Sequence, residues 1–247
     1  MRLGEGRVAL GGWCTIPHPL TFEVMARAGF DWLCLDLQHT FVDLTTAMSC
    51  LQAAAITGVP TWVRTASDHP AELMHMLDAG AAGVMAPLVN TAAQAEAIVR
   101  ACRYAPVGWR SWGPVRAALS HEHYTAAQAN QDIQVGVMIE TIEAFRNLDE
   151  IVSVPGVDMV FVGPNDLALS LGVEPRHGVA SDRHGEVIAE IAAKCLAHGV
   201  IPAIQGGDVP GSRQFIDMGY QAVFVATDLA LVQDGARSAL AQLSPCH

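Results

Sequence analysis

A chain of 247 residues with a formal net charge of −11 and 51% hydrophobic residues can bury one sizeable core, and its acidic balance argues against a nucleic-acid partner or an anionic membrane surface. No run approaches the roughly 18 apolar residues of a transmembrane helix, and the N-terminal "MRLGEGRVALGGW" lacks the apolar centre of a signal peptide. The six cysteines (14, 34, 50, 102, 195 and 246) form no C-x-x-C pair, which predicts reduced thiols in a cytoplasmic protein rather than a disulfide or zinc framework.

The first apolar run, "VALGGWCTI" (8–16), is followed by a helical pattern over 19–29. "WLCLDL" (32–37) leads into a helix over 43–57, "PTWVR" (60–64) into one over 70–79, and "GVMAPL" (83–88) into one over 91–103. The rhythm then breaks. Segment 105–134 is rich in Gly, Pro, Trp and His, and a connection of that length is usually functional or disordered. The aromatics and arginines of "GWRSWGPVR" favour function. The alternation resumes with "VGVMIE" (135–140) and a stretch over 142–153 that places Ile142, Phe145, Leu148, Ile151 and Val152 on one stripe. "DMVFVG" (158–163) runs into "GPND", and a helix over 181–198 precedes "IPAIQG" (201–206). A helix over 210–218 precedes "AVFVATD" (222–228), and a helix over 228–242 closes the series.

The eight runs are continuous rather than alternating, as strands buried on both faces should be. Several helices end in glycine: Gly29, Gly58, Gly80, Gly199 and Gly219. Eight strands alternating with helices, with no dividing linker, predict a single α/β domain over 1–247, a (β/α)8 TIM barrel. A doubly wound open sheet is the alternative, but the chain lacks the Gly-rich phosphate loop that such a sheet would carry.

A barrel gathers its chemistry at the C-terminal ends of the strands. Those ends offer Trp13, then Asp36 and His39, then Arg64, Glu140, Asp166 and the "QGGD" that follows the seventh run. Singly, each has a bland reading. His39 could be a capped surface residue, Arg64 a solvated or paired charge, and Glu140 and Asp166 acids at helix N-termini. Facing one rim, they make a set. Two carboxylates from neighbouring strands, with no nearby Cys and no clustered His, suit a hard divalent cation such as Mg²⁺ or Mn²⁺. Arginine suits a substrate carboxylate. Behind Gly163 and Pro164, the free amides of Asn165 and Asp166 form a second anion seat. Histidine supplies a base near neutral pH. This describes a site for a 2-oxo acid that loses its C3 proton to give a metal-stabilised enolate. The other route to such a carbanion is an imine on lysine, and Lys194 is the only lysine among 14 basic residues. It lies inside the helix over 181–198, on the outer ring, so an imine has no residue to form on.

The stretches "AGFDWLCLDLQHT", "VRT", "LDAGAAGVMAPLVNT", "RYAPVGWRSWG", "MIET" and "GVDMVFVGPNDLALSLG" resemble the HpcH/HpaI family of metal-dependent (class II) pyruvate aldolases. That family includes 4-hydroxy-2-oxoheptanedioate and 2-dehydro-3-deoxyglucarate aldolases, and the resemblance runs over nearly the whole chain. It implies that Glu140 and Asp166 bind Mg²⁺, Mn²⁺ or Co²⁺. Arg64 would hold the pyruvyl group in a substrate seat shared with Trp13, Gly163, Pro164 and Asn165, and His39 would be the acid/base, oriented by Asp36. The implied reaction is reversible cleavage of a 4-hydroxy-2-oxo acid to pyruvate, or a relative such as hydroxypyruvate, plus an aldehyde. Oxaloacetate decarboxylation on the same site is the nearest alternative. A CoA-thioester lyase is a more distant one, against which the sparse basic residues speak. A silent barrel used only for binding would leave a complete set of roles unused. The resemblance also implies a trimer-based homo-hexamer in which the last helix is exchanged. Asp78 in "MLDAG" falls, by fold logic, at the bottom of its own barrel, where the bland reading is a structural acid in a turn. The resemblance implies that Asp78 instead approaches a neighbouring subunit's site.

Overall fold

Inward and outward steps along each strand alternate between two separate apolar environments, and this places the site. The computed structural model describes Leu3, residues 7–120 and residues 122–243; Cys246 lies outside the described residues. Eight strands pair in chain order and close on themselves. They are β1 (Ala9–Cys14), β2 (Trp32–Asp36), β3 (Thr61–Arg64), β4 (Gly83–Ala86), β5 (Gln134–Ile139), β6 (Met159–Val162), β7 (Ile201–Gln205) and β8 (Ala222–Thr227). Every pairing is parallel, including β8 against β1, where the register shifts between Gly11 and Gly12. The expected (β/α)8 barrel is the observed one.

One set of strand residues (Leu33, Leu35, Val63, Val135, Val137, Val160 and Val162) packs outward into the layer between sheet and helices. The alternate set (Trp13, Trp32, Cys34, Trp62, Met138, Met159, Phe161 and Phe224) fills the barrel itself. Because both sets are apolar, the strands read as unbroken apolar runs. The interior is crowded enough that small residues are required beside the indoles. A Cβ on Gly11 would stand 2.6 Å from both the Phe224 ring and Trp32, and one on Gly83 would stand 2.6 Å from Trp62.

The surrounding helices are α1 (Pro19–Arg27), α2 (Leu44–Ala55), α3 (Pro70–Asp78), α4 (Ala92–Cys102), α5 (Ala126–Asp132), α6 (Ile142–Arg146), α7 (Leu148–Val152), α8 (Pro164–Ser170), α9 (Asp182–Ala197), α10 (Val209–Asp217) and α11 (Asp228–Leu243). The five glycines expected to end helices all take positive φ, between 69° and 98°. Two details differ from expectation. The stripe over 142–153 is broken at Asn147, whose backbone leaves the helical region at φ −96°, ψ 10° and whose side-chain amide donates to the carbonyl of Asn90. The long segment 105–134 contains a short 3₁₀ turn at Ala117–Ser120 and helix α5. As a helix-to-strand connection it lies at the N-terminal end of the barrel, away from the mouth. Among the described residues no helix is long and apolar enough to cross a membrane.

Helix α11 contrasts with the rest. Asp228 at its start is buried and accepts hydrogen bonds from Thr15 N–H, Thr15 Oγ and Ile16 N–H, tying the helix to the end of β1. From Leu231 to Leu243 every residue is exposed.

Candidate active site

The polar residues at the mouth continue the inward register of the barrel. On β2 the inward sequence is Trp32, Cys34, Asp36, and on β3 it is Trp62, Arg64. Asp36 and Arg64 are direct cross-strand partners, so the pair follows from the register. Arg64 donates from Nε to Asp36 Oδ1 at 2.9 Å and from Nη2 to Oδ2 at 2.5 Å. Trp13 lies beneath, its indole N–H donating to Asp36 Oδ2 at 3.3 Å and its ring 4.7 Å from the guanidinium. Burial pushes the Asp36 carboxyl up, but the hydrogen bond and charge of Arg64, with the amides of Gln38 and His39, outweigh it and hold the group below its usual value.

This geometry departs from the expectation in two respects. The Asp36 carboxylate does not meet the His39 ring. It accepts from the backbone N–H of Gln38 at 2.9 Å and of His39 at 3.3 Å, shaping the turn on which His39 stands. The reason is direction: Asp36 is an inward residue aimed at β3, whereas His39 is three residues further on and exposed at the rim. Secondly, the two-pronged edge of Arg64 is taken by Asp36, which leaves Nη1 outside the pair.

Glu140 follows the inward line Gly136, Met138 of β5 and is 2% exposed. The bland reading, a cap for the next helix, fails because Thr141 is the N-cap and accepts from Ala144 N–H at 3.0 Å. Glu140 Oε1 instead accepts the N–H of Leu88 at 2.7 Å. Leu88 sits at φ 55°, a left-handed conformation that a branched side chain rarely adopts. Gly163 contributes by what it lacks: a Cβ there would fall 2.6 Å from Glu140 Oε2. Asp166 lies in the first turn of α8, which has no side-chain cap. Burial, then the charge of Asp166, raises the Glu140 carboxyl above its usual value, opposing the Leu88 N–H and the charge of Arg64. A buried acid pushed up by a second acid is a place where a cation is favoured. The donor atoms are carboxylate oxygens, which fits a hard divalent ion. Among the described residues no cluster of three or more His, Cys, Asp or Glu could hold a metal, so the protein's share would be these two carboxylates.

A cavity of about 350 Å³ opens among these groups, lined by Trp13, His39, Arg64, Gly163, Pro164, Asn165 and Asp166. The rest of the wall includes Arg176 and His177 from the segment after α8, and Gln205, Gly206 and Gly207 at the end of β7. Sequence reasoning missed Arg176 and His177, although the rule that strand-to-helix loops line the mouth would have pointed to them. It missed Leu88 because nothing in "APLVN" signals a left-handed residue. It read "ATD" at the end of β8 without adding Asp228 to the strand-end set.

Two further residues lie elsewhere. Lys194 is on α9, paired with Asp149 at 2.9 Å and Glu190 at 3.2 Å. The hydrogen bond to Asp149 raises its pKa, which opposes the neutral amine that an imine requires. Asp78 ends α3 at the other end of the barrel and meets Arg110 of the long segment at 2.6 Å.

The HpcH/HpaI aldolase/citrate lyase family model matches residues 10–234. A hydroxypyruvate/pyruvate aldolase of Rhizorhabdus wittichii is 39% identical over 96% of this chain and 94% of its own length. A 4-hydroxy-2-oxo-heptane-1,7-dioate aldolase of Klebsiella pneumoniae is 34% identical over 98% of this chain and 92% of its own. In three dimensions, the crystal structure of a HpcH/HpaI aldolase/citrate lyase family protein from Burkholderia cenocepacia superposes with a TM-score of 0.90 at 31% identity, covering 96% of this chain and 95% of that one. With the family model spanning most of the barrel and relatives aligned almost end to end, the chain belongs to the HpcH/HpaI aldolase/citrate lyase family.

Proposed function

We propose that this protein is a divalent-metal-dependent aldolase. It would reversibly cleave a 4-hydroxy-2-oxo acid into pyruvate, or a related 2-oxo acid such as hydroxypyruvate, and an aldehyde. The observation that carries the reading is one cavity that joins Asp166 and the paired Arg64 to His39, with the buried Glu140 beside it. The family is generally divalent-metal dependent, and Glu140 with Asp166 would hold Mg²⁺, Mn²⁺ or Co²⁺. Such an ion, when bound, supplies Lewis acidity toward the keto oxygen and carboxylate of the 2-oxo acid.

The chain's own groups do the rest. Arg64 Nη1, backed by Asp36, meets the substrate carboxylate, and Trp13 floors the seat. The Gly163-Pro164-Asn165 turn bounds the same seat. In the cleavage direction His39 takes the proton from the C4 hydroxyl. The C3–C4 bond breaks, the aldehyde leaves, and the electron pair passes into the 2-oxo group until C3 is reprotonated. Asp36 supports His39 through the backbone of the turn. The exposed length of α11, with Val232 at 60% and Leu240 at 69% exposure, supports its exchange between subunits of a trimer-based hexamer. In such an assembly Asp78 would approach a neighbour's site.

Exhaustive chelation with EDTA should abolish turnover of pyruvate or hydroxypyruvate with a panel of aldehydes, and Mg²⁺, Mn²⁺ or Co²⁺ should restore it. Full turnover after chelation would end the reading. Mixing inactive His39→Ala and Asp78→Ala proteins under subunit exchange should regain activity; a fully active Asp78→Ala, or an active dilute monomer, would remove Asp78 from the site.

A further inference from the structure

His184 is 1% exposed and uses both ring nitrogens. It occupies the third position of α9, where the Ser181 hydroxyl accepts the His184 backbone N–H at 3.2 Å and His184 Nδ1 accepts the Ala180 N–H at 2.9 Å. This reciprocal closure begins the helix. A nitrogen that accepts a backbone N–H carries no proton, so the proton of the neutral ring is on Nε2. Nε2 then donates to the carbonyl oxygen of Pro164 at 2.9 Å. Burial lowers the pKa of this histidine, against the Pro164 contact, in keeping with a neutral ring.

Capping explains only the Nδ1 end. Any side-chain acceptor at this position would close the turn. The Nε2 end crosses 20 residues to reach the first residue of α8, two before Asp166. Pro164 has no N–H, so its carbonyl is the one backbone polar group by which that residue can be tied. The Gly163 N-cap has no side chain to help. We propose that His184 is a positioning residue for the cation site: its Nε2–H, by holding the Pro164 carbonyl, sets the turn from which Asp166 joins Glu140. This rests on the reading of Glu140 and Asp166 as the metal's ligands. Groups that orient ligands from outside commonly govern metal affinity by 10- to 100-fold.

Amide isosteres separate the two ends of the ring. In H184Q the side-chain amide nitrogen reaches the place of Nε2 and keeps the donor to Pro164. The shorter side chain of H184N reaches only the place of Nδ1 and keeps the acceptor for Ala180. Metal-stripped wild type, H184Q, H184N and D166N are titrated with Mn²⁺, with free Mn²⁺ read by electron paramagnetic resonance and folding followed by thermal melts. We expect H184N to bind Mn²⁺ about 10- to 100-fold more weakly, and H184Q within about threefold of wild type. The two melts should move together, since each variant keeps one of the two hydrogen bonds. H184N binding as tightly as wild type, or H184Q and H184N weakened equally, would overturn the proposal while leaving the metal reading intact. Wild type that binds no Mn²⁺, or D166N that binds as wild type does, would overturn the metal reading and this proposal with it.

Discussion

Two aspartate–arginine pairs stand at opposite ends of this barrel, and they differ in what surrounds them. At the mouth, Asp36 and Arg64 are 1% and 9% exposed at their side chains. Both carboxylate oxygens are engaged, by Arg64, Trp13 and two backbone amides. At the base, Asp78 and Arg110 are 21% and 0% exposed. Arg110 Nε and Nη1 are buried without a hydrogen-bond partner among the described residues, and the guanidinium lies 4.5 Å from the Tyr104 ring. The cavity near the base pair is the larger, about 450 Å³ against 350 Å³. Its lining includes Asp132, His123, Tyr124 and small residues, with no arginine or lysine among the described residues. Volume is therefore a poor guide here. What marks the mouth is an arginine gripped by two donors to Asp36 that shares its surroundings with two further carboxylates, Glu140 and Asp166.

Removing each arginine tests this contrast most strongly. Arg64→Ala leaves Asp36 buried and unpaired, which should cost about 3–5 kcal/mol of stability. In the proposed mechanism it would also remove a hydrogen bond to the substrate carboxylate, so kcat/KM should fall at least about tenfold. Arg64→Lys should recover only part of this, because the single nitrogen of lysine cannot present the planar two-nitrogen fork that grips both Asp36 oxygens. Arg110→Ala should lose stability too, yet reduce kcat/KM less, since Arg110 can act on a site only through Asp78. Equal losses of kcat/KM in folded Arg64→Ala and Arg110→Ala would erase the distinction.

A second test uses the opposite pKa directions at the mouth. Asp36 is held below its usual value, so its contribution to stability is present above the unfolded pKa and is lost as pH falls through the folded one. Glu140 is raised, so in metal-free protein its contribution is present below the unfolded pKa and is lost as pH rises through the folded one. Glu140→Gln should therefore melt no lower than wild type near neutral pH when both are metal-free, while binding of Mn²⁺ is lost. Wild-type Mn²⁺ affinity should weaken as pH falls through the raised Glu140 value. A Glu140→Gln protein clearly less stable than metal-free wild type would contradict the crowding of two acids.

The smallest effect belongs to the outer ring. Lys194→Ala removes surface ion pairs worth about 0.2–1 kcal/mol and should leave kcat/KM essentially unchanged. A large loss of activity in a folded variant would reopen an imine route.

The repeat of apolar runs and helices determined the barrel, because strands buried on two faces read as unbroken hydrophobic runs whatever packs against them. The strand-end rule then picked out Asp36, Arg64, Glu140 and Asp166, since a residue at the C-terminal end of a barrel strand, or in the turn that follows it, reaches the mouth. The segment 105–134 was legible as an interruption, but α5 within it was not, since seven residues carry too little periodicity. Partner choice could not be counted along the chain. Asp36 meets Arg64 rather than the His39 ring because adjacent strands align them, a relation 28 residues apart in sequence. The left-handed Leu88 that donates to Glu140, the space Gly163 leaves for that carboxylate, and the reach of His184 to Pro164 also depend on distances between separate elements. Local pattern specifies which face a side chain takes; only the closed sheet decides which side chain it meets there.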